Sequence, residues 1–232
     1  MIGIIGALDY ELDSLLAVLV DCEETVISSI TFTRGKILNR EVVIAKCGIG
    51  KVAAALCAQT LIICYKPDLI INTGVAGGLN RQLQVYDLII AQDLVQHDMD
   101  VTALGAEPGM IPGLDIVSIA CTKDLTESFC SCAKQLNLPF YRGRIVSGDQ
   151  FIADGAKASA LAENFQALAC EMEGAAIAQV CYINNLPFIV IRCISDLADE
   201  HSDNDYYSFC RRAADISVSL LLSYLGKEEV LG

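Results

Sequence analysis

Short apolar runs rich in β-branched residues alternate with longer amphipathic stretches along the whole of this 232-residue chain. Ile2-Gly3-Ile4-Ile5-Gly6 is the first such run, and Phe188-Ile189-Val190-Ile191 is the last. This alternation is typical of a mixed or parallel sheet covered by helices. It predicts an α/β fold with three layers, α/β/α, around a mixed and twisted central sheet.

Eight strands and six helices account for this alternation. The predicted strands are residues 2–6, 29–33, 42–47, 69–73, 88–94, 141–147, 167–171 and 188–194, enough for a closed or strongly twisted sheet. The predicted helices are residues 11–20, 51–65, 124–135, 156–163, 174–184 and 207–225, the last an amphipathic lid over the core. Residues 98–112 lack a clear period, which predicts a long loop that serves as a lid or a dimer arm.

The composition favours a compact protein with a large apolar core. Apolar residues make up 53% of the sequence and charged residues 19%, so we expect a single domain over residues 1–232 and a homo-oligomer. The formal net charge of −13 repels phosphate backbones and anionic lipid, so neither nucleic acid nor a membrane is an expected partner. The chain has no uninterrupted run of about 18 apolar residues, and we expect it in the cytoplasm.

The cysteines predict buried thiols in a reducing compartment. There are 11 of them, an odd number, without a Cys-x-x-Cys pair, and Cys57, Cys64, Cys181 and Cys193 all lie inside apolar runs. The two histidines do not lie at helical spacing from each other. We therefore expect neither disulfides nor a metal site.

Carboxylates adjoin apolar runs at two places near the C-terminal end of the chain. The first is Cys170-Glu171-Met172-Glu173, and the second is Ile191-Arg192-Cys193-Ile194-Ser195-Asp196. Cleavage of a glycosidic bond needs an acid for the leaving group and anions facing an electron-poor sugar, and these segments supply both. They predict a nucleoside-cleaving enzyme. For Glu171 and Glu173, which share one face of an extended backbone, capping of the next helix is the alternative.

Three further charged residues have two interpretations each. Asp196 ends the most apolar strand, at the sheet edge where α/β proteins bind ligands, but it also suits the N-cap of a short turn. Arg192 lies inside that strand and requires an anionic partner, for which we favour Glu11 or Glu173. Glu11 follows the first strand, where the neighbouring Asp9 could raise its pKa, although the helix dipole alone explains an acidic first turn.

Glycine-rich segments follow three of the predicted strands. Gly48-Ile49-Gly50-Lys51 fits a short dinucleotide fingerprint with Asp68 as the ribose-binding acid. Asn72-Thr73-Gly74-Val75-Ala76-Gly77 suits either the close approach of a ligand or another segment, or a tight turn. Ser147-Gly148-Asp149-Gln150-Phe151 presents an aromatic ring that stacks on a planar base or packs in the core.

Together these residues resemble the methylthioadenosine/S-adenosylhomocysteine nucleosidases of the purine nucleoside phosphorylase superfamily, over essentially the whole chain. The resemblance implies a nucleoside phosphorylase-like fold and a homodimer without cofactor or metal. It implies hydrolysis of adenine thionucleosides to adenine and a thioribose. The motifs that carry it are Gly3-Ile4-Ile5-Gly6-Ala7 with Glu11, Gly48-Ile49-Gly50-Lys51-Val52-Ala53-Ala54-Ala55, Asn72-Thr73-Gly74, Ser147-Gly148-Asp149, Glu171-Met172-Glu173 and Ser195-Asp196.

The resemblance also implies a role for each catalytic residue. Asp196, held by Ser195, protonates adenine N7 so that the base departs neutral. Glu11 activates the attacking water, and Arg192 lies near it. Glu173 binds the ribose hydroxyls. An oxocarbenium-like sugar stabilised by carboxylates and a protonated purine leaving group are chemically consistent with these roles.

The resemblance further implies the residues that contact each part of the substrate. Phe151 stacks on adenine, while the backbone of Ile152 reads its Watson–Crick edge. The apolar pocket for the 5′-substituent is shared between two subunits. The remaining implied substrate-binding residues are Met172 on the sugar face, Glu171, Val75, Ala76 and Gly77 around the sugar and base, Leu8, Ile49 and Tyr206 or Tyr207 in the 5′-pocket, and Leu104 and Pro112 reaching across the dimer.

Two other functions remain as alternatives. A phosphorylase of the same superfamily needs cations around a phosphate, and Gly48 to Lys51 offers one lysine. A non-catalytic dinucleotide-binding module would use the same glycine loop but leaves the carboxylates unexplained.

Val75 and Leu8 stand where relatives commonly carry serine and methionine. The acidic segment 197–205 is either a mobile gate or a solvated loop.

Overall fold

The computed structural model describes residues 1–198 and 206–227. Its strands alternate with helices in the order that the apolar runs predict. The strands are β1 (Ile2–Gly6), β2 (Val20–Ile27), β3 (Ile30–Ile37), β4 (Arg40–Lys46), β5 (Leu69–Gly78), β6 (Leu88–Gln96), β7 (Ser118–Ala120), β8 (Phe140–Ser147), β9 (Ala167–Glu171) and β10 (Phe188–Asp196). The helices are α1 (Asp9–Leu16), α2 (Lys51–Tyr65), α3 (Lys123–Gln135), α4 (Gly155–Phe165), α5 (Gly174–Ile183) and α6 (Tyr206–Leu225).

The strands form one mixed sheet that closes on itself along part of its width. β5 runs parallel to β1 and β10, β6 pairs with β10 and β8, and β9 joins β8 back to β5. Strands β5, β10, β6, β8 and β9 therefore make a closed ring. β1, β4, β3 and β2 extend from β5 as an open wing. This arrangement confirms the predicted mixed sheet.

Helices cover the sheet in two groups. Helix α2 packs against α5, whereas α6 packs against α1 and α3 and contacts β5 and β10. The buried side of α6 carries Cys210, Ala213, Val218 and Leu221, so the helix covers the core as its amphipathic pattern predicts. The predicted three-layer α/β/α fold class is confirmed.

Buried strands give the most accurate sequence predictions. All five residues of β1 are buried, and a strand covered on both faces reads as a continuous apolar run. The bounds predicted for β1, β9 and α2 match the structure. Residues 98–112 are largely irregular, as predicted, apart from a short 3₁₀ turn at Thr102–Leu104.

The predictions are wrong for two edge strands and at the ends of two central strands. The first helix ends at Leu16 instead of residue 20, because Val20 begins the unpredicted β2. β2 is exposed on both faces, so its sequence VDCEETVI lacks an apolar alternation. The unpredicted β7 has three residues and pairs only with β6. β5 and β10 run beyond their predicted ends to Gly78 and Asp196 because Gly77 pairs with both β9 and β10.

The thiols are free, and most of them are buried. All eleven cysteines are unbonded. Cys57, Cys181 and Cys193 are buried as predicted, whereas Cys64 is exposed on α2. Within residues 1–198 and 206–227, no helix combines the length and apolar character needed to cross a bilayer.

The geometry contradicts the dinucleotide interpretation of the glycine loop. Gly48 follows the carboxyl end of β4, whereas Asp68 precedes the amino end of β5, a strand parallel to β1 as β4 is. The two residues thus lie at opposite edges of the sheet. Asp68 instead accepts a hydrogen bond from the amino terminus of Met1 at 2.5 Å, so it is not placed to read a ribose beside the loop.

Candidate active site

A cavity of about 330 Å³ opens at the carboxyl edge of the sheet. Parallel strands β1, β5 and β10 end there, and the turn into α1 and the turn from β9 into α5 close its sides. This is the edge at which α/β sheets place ligand sites. The lining residues are Ala7, Leu8, Tyr10, Glu11, Ile49, Val75, Ala76, Gly77, Phe151, Cys170, Glu171, Met172, Glu173, Ser195, Asp196 and Tyr207.

Glu11 is a buried carboxylate held by three backbone amides. The N–H groups of Ala7 and Leu8 donate to Oε2 at 2.7 and 3.0 Å, and the N–H of Val75 donates to Oε1 at 3.0 Å. Gly74 permits this contact, since a β-carbon there would overlap Glu11 Oε1. Burial raises the pKa of Glu11, although Arg192 and these amides oppose the shift. The cause is thus burial and not the neighbouring Asp9, which pairs with Lys46.

Arg192 has a partner that the sequence did not indicate. Its Nη2 donates to Glu171 Oε2 at 2.5 Å and to Asn72 Oδ1 at 2.7 Å, so the preference for Glu11 or Glu173 is wrong. β10 carries Arg192 toward the end of β9, where Glu171 lies. Burial opposes the charge of Arg192, but the surrounding carboxylates Glu171, Glu11 and Glu173 raise its pKa overall.

Glu171 caps helix α5, which is the structural alternative considered for it. Its carboxylate accepts hydrogen bonds from the N–H groups of Glu173 and Gly174 at 2.8 to 3.0 Å and from the hydroxyl of Ser147. The N-terminus of a helix attracts negative charge, so this position suits a carboxylate. Glu171 lines the cavity, yet its oxygens are bound to Arg192, Ser147 and the helix.

Glu173 faces the cavity from the start of α5. Its Oε1 accepts a hydrogen bond from the N–H of Gly50 at 2.9 Å, which ties α5 to the turn before α2. Burial raises the pKa of Glu173 to about 8, and the nearby Glu171 contributes to the shift. The two glutamates that share a face in an extended chain thus have different partners.

Asp196 ends β10 at the cavity. Its Oδ2 accepts a hydrogen bond from Ser195 Oγ at 2.8 Å, and its Oδ1 accepts one from the N–H of Ala198 at 2.9 Å. The Ala198 bond is the turn contact expected of a cap, so Asp196 both ends the strand and lines the cavity. A β-carbon on Gly77 would lie 3.2 Å from Asp196 Oδ1, so the glycine leaves room for this carboxyl group.

A smaller cavity of about 30 Å³ adjoins the first beside the loop after β8. Phe151, Cys170 and Asp196 line both cavities, and Ile152 lines only the smaller one. Phe151 is 62% exposed, so it is not a core residue. Burial raises the pKa of the Cys170 thiol to about 12, with Asp196 and Glu171 adding to the shift.

Most predicted site residues converge on this cavity, and the others are placed as follows. Arg192 lies buried beneath the lining. Leu104 is 87% exposed in the 3₁₀ turn, and Pro112 is exposed in the same loop; neither lines the cavity. Tyr207 lines it, whereas the side chain of Tyr206 lies outside the described residues, as do residues 199–205 of the acidic segment expected to be a gate or a solvated loop.

The sequence reasoning missed three residues of the lining. Ala7 precedes Leu8 in the turn from β1 to α1, Tyr10 precedes Glu11 in the first turn of α1, and Cys170 precedes Glu171 at the end of β9. Each of the three is next in sequence to a predicted site residue near a strand end, and this adjacency is what could have identified them. In the described part of the chain, no group of three His, Cys, Asp or Glu side chains is arranged to hold a metal ion.

Residues 1–226 match the family model of the phosphorylase superfamily. A 5′-methylthioadenosine/S-adenosylhomocysteine nucleosidase of Staphylococcus aureus (strain JH9) is 42% identical over 215 residues, which are 92% of this chain and 94% of that protein. This chain belongs to that nucleosidase family. The family resemblance inferred from the motifs is therefore confirmed.

Solved structures of nucleosidases agree with this membership over nearly the whole chain. The nucleosidase of Neisseria meningitidis in complex with methylthio-immucillin-A has a TM-score of 0.93 and 32% identity, covering 97% of this chain and 98% of that one. A futalosine hydrolase mutant of Helicobacter pylori strain 26695 has a TM-score of 0.92 and 34% identity, covering 96% of this chain and 97% of that one. The nucleosidase fold is thus shared with proteins named for different nucleosides.

Proposed function

We propose that this chain hydrolyses the N-glycosidic bond of 5′-methylthioadenosine and S-adenosylhomocysteine, and of 5′-deoxyadenosine, to adenine and the corresponding sugar. Such a reaction serves methionine salvage and the removal of products of methyl transfer. The observation that carries the proposal is the convergence of Glu11, Glu173 and Asp196 on one cavity between strands β1, β5 and β10. The names of the relatives support the same reaction.

Asp196 is the acid for the leaving base in this proposal. Its carboxyl group lies at the boundary between the two cavities, beside Phe151 and within hydrogen-bonding distance of Ser195 Oγ. Proton transfer from Asp196 to adenine N7 neutralises the charge that develops on the purine as the bond breaks. Ser195 fixes the orientation of the carboxyl group, so it assists as a positioning residue.

Glu11 is the base that activates water. Burial raises its pKa, which makes the carboxylate a stronger proton acceptor. Three amides fix its two oxygens, and Arg192 lies near enough to contribute an electrostatic attraction. A water molecule activated there reacts with the sugar as the oxocarbenium-like state forms. Glu173 lies on the same cavity, where its carboxyl group faces the sugar.

The substrate is bound by the remaining lining residues. Phe151 stacks on adenine while the backbone of Ile152 reads its Watson–Crick edge in the smaller cavity. Glu173 binds the ribose hydroxyls, and Met172 packs on the sugar face. Glu171 acts from beneath through its contacts to Arg192 and α5. Val75, Ala76 and Gly77 of β5 form the wall behind the sugar and the base.

The charges of the cavity favour water over phosphate as the nucleophile. Among the lining residues, all of which are described, there is no lysine, arginine or histidine, whereas phosphate sites use such cations or free backbone N–H groups. Three N–H groups that could hold an anion are occupied by Glu11. Lys51, the lysine of the glycine loop, is bound to Asp98. The phosphorylase alternative is thus disfavoured.

We propose a homodimer in which the 98–112 loop completes the 5′-pocket of the partner. Leu8, Ile49 and Tyr207 form the outer part of the cavity within one chain, with Tyr206 beside them in sequence. Leu104 and Pro112, both exposed in the 98–112 loop, then supply the missing wall of the partner's 5′-pocket. Exposed apolar residues such as Val52 and Ile63 on α2 support an interface on this side of the fold.

The protein acts as one nucleosidase domain in the cytoplasm, with neither cofactor nor metal. The family match over residues 1–226 supports a single unit. Eleven unbonded thiols suit a reducing compartment.

The test is adenine release from 5′-methylthioadenosine by the purified protein, with and without phosphate, followed by identification of the sugar. We expect free methylthioribose at the same rate in both conditions. A sugar 1-phosphate formed only with phosphate would assign the protein to the phosphorylases, and no adenine release would overturn the proposal. The same assay with S-adenosylhomocysteine, 5′-deoxyadenosine and a futalosine-type nucleoside ranks the substrates by kcat/KM.

A further inference from the structure

An ion pair outside the catalytic residues lies next to the cavity. Lys51 Nζ donates to Asp98 Oδ1 at 2.6 Å and to Gln96 Oε1 at 3.0 Å. The side chains of Lys51 and Asp98 are only 16% and 22% exposed, which distinguishes this pair from the solvated ion pairs of the surface. Neither residue lines the cavity, and the proposed mechanism uses neither.

The pair holds the loop that carries Phe151. Asp98 Oδ2 accepts a hydrogen bond from the N–H of Asp149 at 2.9 Å, and Asp149 Oδ1 accepts one from the N–H of Lys51 at 2.7 Å. Lys51 and Asp98 thus bind both the backbone and the side chain of Asp149. Because Asp149 is two residues from Phe151, the position of the stacking ring depends on this set of contacts.

The same turn holds Glu173. The N–H of Gly50 donates to Glu173 Oε1 at 2.9 Å, while the next N–H, that of Lys51, donates to Asp149. Gly50 has a φ of 97°, which favours glycine, and a β-carbon there would lie 3.0 Å from Asp149 Oδ1. One turn therefore sets the positions of the residues proposed to bind the base and the ribose.

The ammonium of Lys51 pairs with Asp98, one of the two carboxylates that lie at this turn. Burial opposes the ionisation of Asp98, but the hydrogen bond from Lys51 and that from Asp149 N–H lower its pKa overall. His97 lies alongside, and burial lowers its pKa. Gly148 touches this histidine closely, since a β-carbon there would overlap the His97 ring and lie 3.0 Å from Asp98 Cγ.

We propose that Lys51 and Asp98 are positioning residues for purine binding. The charge of Lys51 holds Asp98 beside Asp149, and that pairing fixes the loop that carries Phe151 in the geometry that binds the base of an adenine nucleoside. The inference rests on the proposed function, because the ligand whose binding it controls is adenine. Adenine itself, the reaction product, is the probe, so binding is measured without the bond-breaking step.

The experiment compares the affinity of adenine, measured by calorimetry, among four proteins: the unaltered chain, Lys51→Met, Lys51→Met with Asp98→Asn, and Lys36→Met. Lys36→Met is the matched control, since it removes the same charge from the exposed pair that Lys36 of β3 makes with Asp21 of β2. We expect Lys51→Met to weaken adenine binding on the order of tenfold, because misplacing a stacking residue has a large effect on a precise site. Lys36→Met should bind as the unaltered chain does.

The double variant separates charge from packing. Asp98→Asn removes the negative charge that Lys51→Met leaves uncompensated but keeps an oxygen to accept from Asp149 N–H, so we expect it to restore part of the affinity. A merely structural role of the lysine stem predicts no such rescue. The inference would be overturned if Lys51→Met bound adenine as tightly as the unaltered chain. It would also be overturned if the double variant bound adenine as weakly as Lys51→Met alone.

Two further measurements keep the test decisive. If Lys51→Met does not fold, Asp98→Asn alone is used, and a smaller loss in the same direction is expected; an unchanged affinity would overturn the inference. If the unaltered chain binds adenine but does not cleave 5′-methylthioadenosine, the proposed reaction fails while the positioning role is still tested. If the unaltered chain does not bind adenine, both fail together.

Discussion

The two edges of the central sheet differ in how far their charged side chains are exposed: an exposed aspartate lies at one edge and buried glutamates lie at the other. At the amino edge, a wide cleft of about 980 Å³ holds the exposed pair of the Met1 amino group with Asp68 and the contacts of Arg40 to main-chain carbonyls of α6 and beyond. At the carboxyl edge, the active-site cavity of about 330 Å³ has buried Glu11 and Glu173 in its lining. The larger cleft is therefore not the one whose lining holds buried glutamates.

The difference shows what burial does to a carboxylate. Asp68 stays solvated, and an exposed pair of this kind contributes little to stability. Glu11 and Glu173 lose their water, which raises their pKa values. Perturbed carboxyl groups that share a cavity are typical of catalytic sites. The substitutions below test whether only the carboxyl edge has this property.

Asp196→Asn should have the largest effect. It keeps the shape of the side chain and an oxygen for the N–H of Ala198 but removes the proton donor for the base. We expect kcat for 5′-methylthioadenosine to fall by about 10³-fold with little change in substrate affinity. Single-turnover kinetics and equilibrium binding measure the two quantities separately. Normal turnover by this variant would exclude Asp196 as the acid.

Glu11→Gln should come next, with a loss of about 10²-fold in kcat. An amide keeps one oxygen for the N–H of Val75 or of Ala7 but cannot take a proton from water. The measurement is the rate of adenine release at saturating substrate. Stability against urea serves as the control, since the buried site must stay folded. A normal kcat in a folded Glu11→Gln protein would place the base elsewhere.

Glu173→Gln should change the dependence of stability on pH. Burial raises the pKa of Glu173 from 4.5 to about 8, so between these values the folded chain binds a proton that the unfolded chain has lost. The free energy of unfolding of the unaltered chain therefore falls as pH rises through this window. The fall is at most about 1.4 kcal/mol for each unit by which the two pKa values differ. The glutamine variant lacks this contribution.

Thermal unfolding at pH 5 and pH 8 checks this prediction. We expect Glu173→Gln to gain stability relative to the unaltered chain on going from pH 5 to pH 8. Glu11 is present in both proteins, so the part of its titration that does not depend on Glu173 cancels in the difference. A difference that stays constant with pH would mean that Glu173 ionises in the folded chain as it does in water.

The sequence predicts the fold well where burial leaves a pattern. Strands such as β1 and β9 are covered on both sides, so continuous apolar runs mark their ends. β2 is missed because both of its faces meet solvent, and β7 because three residues hold no period. Most of the cavity lining is also predicted, since strand ends and their polar residues are visible in the sequence.

The pairing of charges is what the sequence does not predict. Arg192 binds Glu171 across 21 residues and Lys51 binds Asp98 across 47, and several acids at strand ends are available to each cation. The choice depends on register: Arg192 lies opposite Gly74 on β5, whose missing β-carbon leaves space that Glu11 fills. With Glu11 in that space, it is Glu171 that forms the ion pair with the guanidinium of Arg192. Such choices follow from three-dimensional packing and not from spacing.

Asp68→Asn, at the amino edge, should have the smallest effect. Asp68 is 79% exposed in its pair with the Met1 amino group, so removal of its charge should lower the free energy of unfolding by no more than about 0.5 kcal/mol. Because Asp68 lies at the edge opposite the cavity, adenine release should be unchanged, and 0.5 M salt should abolish the small stability difference. A clear loss of activity would show that the two edges are coupled and that burial alone does not separate them.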